Sequence, residues 1–222
     1  MPVARTASSW VLERLERETR EHHADAEADL FRILDDATPA AYHRMLATID
    51  HFEYAVEAEL ARTQQLPVGF VAARMKTGRL AEDLLALGDD PVVAALFAIP
   101  LEPVRFRDAY DALAWMYVLE RNTLHHLSLY RVLVPRLRTT LRIAAMYLTS
   151  HTTDVHARWY ELGAYLDEVV DSSEKAAAIV EVACEAFKRQ HAWHLEASNR
   201  SSLLCLTMAS SAGGTSVQNR RR

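Results

Sequence analysis

The chain has 222 residues, half of them hydrophobic, with a formal net charge of −5 and a pI near 6.1. That length suggests one domain able to bury a core without staples, and two cysteines, Cys184 and Cys205, make no disulfide framework and point to a reducing compartment. With no basic stripe, nucleic acid is disfavoured; with no apolar run of about 18 residues, no membrane span is expected; and MPVARTASSW has no apolar signal core, so the expected location is cytoplasmic.

Glycine is scarce, and the apolar spacing is helical nearly throughout. A first helix starts at Ser8 or Ser9, either of which can cap it, and runs to about Leu34, with Asp35-Asp36-Ala37 as the turn. Thr38-Pro39 opens a second, carrying Tyr42, Leu46, Ile49, Phe52, Val56 and Leu60, and ending before Pro67 and Gly69. A third runs from about Phe70 to Leu87 and stops at Gly88; Asp90-Pro91 starts a short one through Phe97, and Ile99–Pro103 is a loop. Next comes a long helix from about Phe106 to Val134, stopped by Pro135, and then helices at about Thr139–Thr149, Thr153–Val169 and Glu174–Glu196. Asp171 and Glu174 have capping-box spacing, Cys184 reads as a small core residue, and from Ala197 the pattern dissolves into a tail expected to be disordered. The expected fold is all-α, a single domain of roughly seven helices over residues 1–196 with a tail at 197–222.

Two places break the apolar pattern. On the first helix the row four residues apart reads Leu15, Thr19, His23, Glu27, Phe31, so a histidine and a carboxylate interrupt an apolar face. His23 and Glu27 either hydrogen-bond each other at the edge of a core, or His23 is a ligand oriented by Glu27. In the long helix the stripe Leu113, Met116, Glu120, Leu124, Leu127 places a carboxylate where an apolar residue belongs, so Glu120 needs a partner. Histidines cluster at His22-His23, His125-His126 and His191/His194, which keeps a metal open, although CxxC, HExxH and a phosphate-binding glycine loop are all absent.

These residues resemble the bacterial heme oxygenases, especially the biliverdin-forming type associated with bacterial phytochromes. LERETREHHADAE is similar to that family's Leu-x-x-x-Thr-x-x-x-His-x-x-x-Glu; HFEYAVEAEL, to a segment ending in glutamate, here Glu57; and RMKTGRLAEDLLALG, to Leu-x-x-Asp-Leu-x-x-Leu-Gly, at Leu80, Asp83, Leu84, Leu87 and Gly88. YVLE at Tyr117–Glu120 matches the start of the distal helix, and ARWYELGAYLD and AFKRQHAWH resemble the closing helices, so the resemblance spans about Trp10 to His194. It implies heme as substrate and cofactor, His23 as proximal iron ligand with Thr19 and Glu27 beside it, and Arg17 and Arg20 near the propionates. It also implies an external electron donor (a reductase or ferredoxin) and a bacterial phytochrome as partner. Glu120, Arg121 and His125 on the helix that carries YVLE are the catalytic candidates.

The chain departs from the family at the distal helix, where Arg121, His125 and His126 in YVLERNTLHH fill positions that are glycine in the family. Glycine there lets the backbone approach the porphyrin. Either the pocket is closed to heme, or a histidine, with His125 favoured as the inward one, reaches the iron opposite His23. Three readings follow: a heme oxygenase; a family member that binds a tetrapyrrole without degrading it; and a non-heme metal oxidase using His23, Glu27, Glu120 and His125 or His126. The first helix and the helix around Tyr117–Tyr130 are expected to face each other across a central cavity, with His23 on one and Glu120 on the other.

Overall fold

The structure is a computed structural model that describes residues 9–89 and 103–212, with side chains as far as residue 199. Ser8, the Asp90–Phe97 helix, most of the Ile99–Pro103 loop and the last ten residues lie outside the described part. All the described regular structure is helical.

The expected first helix is two. Helix α1 (Trp10–Glu18) is capped by Ser9, whose hydroxyl oxygen accepts from Leu12 N at 3.1 Å, and α2 (Arg20–Phe31) continues after a break at Thr19 (φ −100°, ψ 7°), followed by a 3₁₀ turn at Arg32–Leu34. The Thr19 hydroxyl donates to Leu15 O, so the side chain bends the chain by competing for a helix carbonyl. Helix α3 (Pro39–Leu60) starts as expected, with Thr38 accepting from Ala41 N and proline at the first position, and it buries all six of the apolar residues named for it. The expected third helix is also two, α4 (Val68–Ala72) and α5 (Thr77–Ala86), because Lys76 turns inward between them. Gly88 ends α5 in the left-handed region, at φ +95°.

Helix α6 (Ala109–Thr123) is capped by Asp108, and its residues from Asp111 to Glu120 are all buried; it packs chiefly against the last helix. The chain bends at Leu124–His125 and resumes as α7 (His126–Leu141). Pro135 does not stop that helix. The helix runs through it, and its one non-helical residue is Leu137 (φ −121°, ψ 30°), two positions further on. Helices α8 (Met146–Thr149), α9 (Val155–Val169) and α10 (Ser173–Ala212) complete the fold. Ser172, rather than Asp171, accepts from Lys175 N, and α10 continues past the expected end near Ala197 as far as Ala212.

Two apolar clusters result. The first gathers Leu15, Phe52, Met116, Tyr117, Trp159 and Phe187; the second gathers Tyr42, Leu46, Leu80, Leu129, Leu133 and Tyr147. A buried polar seam lies where α3 and α6–α7 pass from one to the other. In it Lys76 Nζ donates to Leu119 O (3.2 Å) and Thr123 Oγ1 (2.9 Å) and stands 3.7 Å from Glu53, while Tyr147 OH donates to Glu53 at 2.7 Å. Glu57 accepts from Lys76 N and from Thr77 N and Oγ1, which fixes the turn into α5.

Candidate functional site

Helices α2 and α6 meet through two rows of side chains, Thr19–His23–Glu27 on one and Tyr117–Arg121 on the other, with His125 following at the bend. His23 Nε2 lies 2.8 Å from Thr19 Oγ1 and 3.1 Å from Tyr117 OH, and those two hydroxyls are 3.1 Å apart. The Thr19 proton is committed to Leu15 O, so the triangle closes when imidazole and phenol both donate to Thr19 Oγ1. The His23 ring is half-buried against Phe187, edge-on at 5.5 Å between centroids. Burial first, and the neighbouring Arg121 second, push its pKa down to about 4, so it is neutral at pH 7. Burial likewise raises the Tyr117 hydroxyl well above its ordinary value, keeping it protonated.

One turn along, Glu27 Oε1 bridges to the other row, 3.2 Å from Arg121 Nη2 and 3.2 Å from His125 Nε2. Arg121 Nη1 also contacts His125 Nε2. That nitrogen cannot accept from arginine and donate to glutamate at once. Burial and the arginine's charge lower the His125 pKa, which selects the neutral ring accepting from Arg121 and leaves Arg121 as the cation paired with Glu27. The lone pair that His125 would offer an iron is therefore held by Arg121.

Other expected site residues fall elsewhere. Glu120 does not join His23: it is buried and accepts from Arg158 Nη2 at 2.7 Å, off the row of Tyr117 and Arg121. His126, not His125, is the more buried of the pair, but it packs on Tyr147 (4.4 Å between centroids), away from α2. Arg17 pairs with Glu18 at 2.9 Å on the surface, and Arg20 is exposed. His191 binds Asp29 at 2.8 Å. His194 lines a cavity of about 310 Å³ with Asp29, Arg32, Met45 and Thr48, where the end of α2 and the first half of α3 meet the middle of α10, rather than between α2 and α6. Across from His23 stands Tyr117 rather than Glu120, and side chains of the two rows touch directly there. Among the described residues no three His, Cys, Asp or Glu side chains converge to hold a metal, so the non-heme oxidase reading gains no site. Sequence reading missed the Tyr117 hydroxyl and the edge of Phe187 as neighbours of His23; the shared row of Tyr117, Arg121 and His125 was the available signal.

In donor chemistry the site fits heme: a neutral imidazole is an iron ligand. Ligation through Nε2 requires its proton to shift to Nδ1 and the Thr19–Tyr117 triangle to open.

No described helix is long and apolar enough to cross a membrane. The Heme oxygenase family model matches residues 9–196. Among solved structures the chain is similar to the heme oxygenase of Neisseria meningitidis, crystallised with NO and CO bound, with a TM-score of 0.68 and 19% identity over 84% of this chain and 91% of that one. No curated protein matches by sequence. At that identity the structural likeness speaks for the fold, whereas the family match covers α1 to α9 and most of the described α10. The chain belongs to the heme oxygenase family.

Proposed function

We propose that this protein binds heme through His23 and opens the ring to biliverdin, carbon monoxide and iron, drawing electrons from a separate reductase or ferredoxin. The observation that carries this reading is a neutral, half-buried His23 in the family's ligand register, facing the distal helix through Tyr117. Bound heme supplies the iron that activates oxygen; the chain supplies an axial imidazole, a hydroxyl pair at Thr19 and Tyr117, and a wall of packed helix that limits water. A cytoplasmic bacterial phytochrome is the partner suited to a biliverdin product. The experiment is hemin titration followed by absorption. The wild type should give a ferric heme spectrum, His23→Ala should lose it, and His22→Ala, whose ring stacks on Phe187 a step around the helix, should keep it. Equal spectra for wild type and His23→Ala would refute the assignment.

A second reading, a tetrapyrrole binder that does not degrade its ligand, is favoured by the Glu27–Arg121–His125 contact across the gap. A single-turnover assay with chemical reductant separates the two. Biliverdin from the wild type supports the oxygenase. Intact heme in the wild type, with biliverdin formed only by an Arg121→Gly, His125→Gly, His126→Gly variant, supports the binder.

A further inference from the structure

Arg121 stands where glycine is expected, and its guanidinium is only half used. Nη1 meets His125 Nε2; Nη2 donates to a single oxygen, Glu27 Oε1, at 3.2 Å; and Nε is buried with no acceptor. A guanidinium offers its Nε and Nη2 hydrogens as a parallel fork, matched to both oxygens of one carboxylate. Glu27 satisfies one tine of that fork at the long end of the hydrogen-bond range. It also reaches in from the rim, with 43% of its side chain exposed against 16% for Arg121. Neutral His125 steadies the other side of the guanidinium and aims the open edge toward α2.

Building on the heme reading, we infer that Arg121 is the receptor for a carboxylate of the incoming tetrapyrrole, and that Glu27 is a tethered competitor occupying it until that carboxylate displaces it. A partly exposed ion pair with poor geometry is weak, so the exchange needs little driving force: the bidentate pair formed on a buried fork replaces a monodentate one at the rim. The same exchange parts α2 from α6, because Glu27–Arg121 is one of the contacts that hold the gap shut. The device selects for acids. A porphyrin whose carboxylates are masked leaves the fork filled by Glu27 and meets a closed gap. Arg17 and Arg20, the propionate partners implied by resemblance, point to the surface instead.

The test uses protoporphyrin IX and its dimethyl ester, both metal-free so that no bond from iron to His23 contributes, followed by quenching of the four tryptophans. The wild type should prefer the acid. Arg121→Leu should reduce the acid-over-ester preference toward one, Arg121→Lys should retain only part of it, and Glu27→Ala should tighten the acid by about threefold to tenfold, the range expected from removing one weak ion pair. Glu27 lies at the rim, so its alanine variant folds. An acid-over-ester ratio unchanged in both Arg121 variants, or no tightening in Glu27→Ala, overturns the receptor even when hemin titration upholds His23 as the iron ligand. A wild type and Glu27→Ala protein that bind neither porphyrin overturn the receptor; the heme reading falls only if hemin titration also gives no His23-dependent spectrum.

Discussion

Tyr117 OH and His23 Nε2 stand 3.1 Å apart, so α6 touches His23 at the nitrogen proposed above to bind iron. Tyr117→Phe removes that contact while Thr19 and His23 keep theirs. Hemin should bind several-fold more tightly to the variant, read by titration of the heme absorption band, and the urea midpoint should report a loss of about 1 kcal/mol for the missing hydrogen bond. Weaker hemin binding would show that the phenol supports the ligand rather than competing with it.

Glu120 and Arg158 form a pair in which both side chains are almost wholly buried. Glu120→Ala leaves the guanidinium without its countercharge and should cost about 3–5 kcal/mol in chemical denaturation. Glu120→Leu with Arg158→Met should recover a large part of that, since replacing both partners removes the stranded charge. A double variant no better than the single would assign the loss to packing instead.

Burial raises the Glu53 carboxyl to about 7, against the pull of Lys76 and with Glu57 and Asp50 adding to the rise. The folded state thus holds a proton that the unfolded chain releases near 4.5, so stability falls as pH rises from 4.5 to 7 and the penalty is complete above that. The loss from this group is about 3 kcal/mol at ~1.4 kcal/mol per pKa unit. Glu53→Gln keeps an acceptor for Tyr147 OH and should flatten that slope in urea unfolding at pH 5 and pH 8. A parallel slope in the variant would place the titration elsewhere.

Gly163 on α9 lies against the start of α1: a Cβ added there would meet Ser9 Cβ at 2.8 Å and Leu12 Cδ2 at 3.1 Å. Both are held in place, Ser9 by donating to Asp167 at 2.8 Å and Leu12 by burial. Gly163→Ala should lower stability by about 1–3 kcal/mol through overpacking, seen as a reduced thermal midpoint. An unchanged midpoint would mean that α1 shifts without resistance.

What could be read from the sequence followed from local chemistry. Thr38-Pro39 and Gly88 start and stop helices by backbone rules that need no partner, and the apolar row of α3 packs as its spacing requires. The row Thr19–His23–Glu27 likewise lies on one face despite the break, because Thr19 bonds across it. What was missed depends on contacts distant in sequence. Lys76 reads as a surface lysine until α3 and α6 supply Glu53, Thr123 and Leu119 O around it. Glu120 looked like a partner for His23 because both interrupt apolar stripes, but it lies off the row of Tyr117 and Arg121, and Arg158 is 38 residues away. The helix expected to run from Phe106 to Val134 is instead broken at a bend. Leu124 and His125 make it with ordinary right-handed angles, so backbone freedom was not the constraint.

The polar seam through Glu53, Lys76 and Thr123 also bears on how the molecule comes apart. Apolar contact is cooperative within each cluster, but across the seam it is replaced by directional bonds that water can take over one at a time. The second cluster is the smaller, and α5, α7 and α8 are anchored mainly to it. Those segments form a unit able to open while α6 and α10 stay folded, and native-state hydrogen exchange should show their amides exchanging together at a lower free energy than global unfolding. The α7 part of that unit starts at the Leu124–His125 bend, beside Arg121, so its opening would also loosen the segment that carries His125.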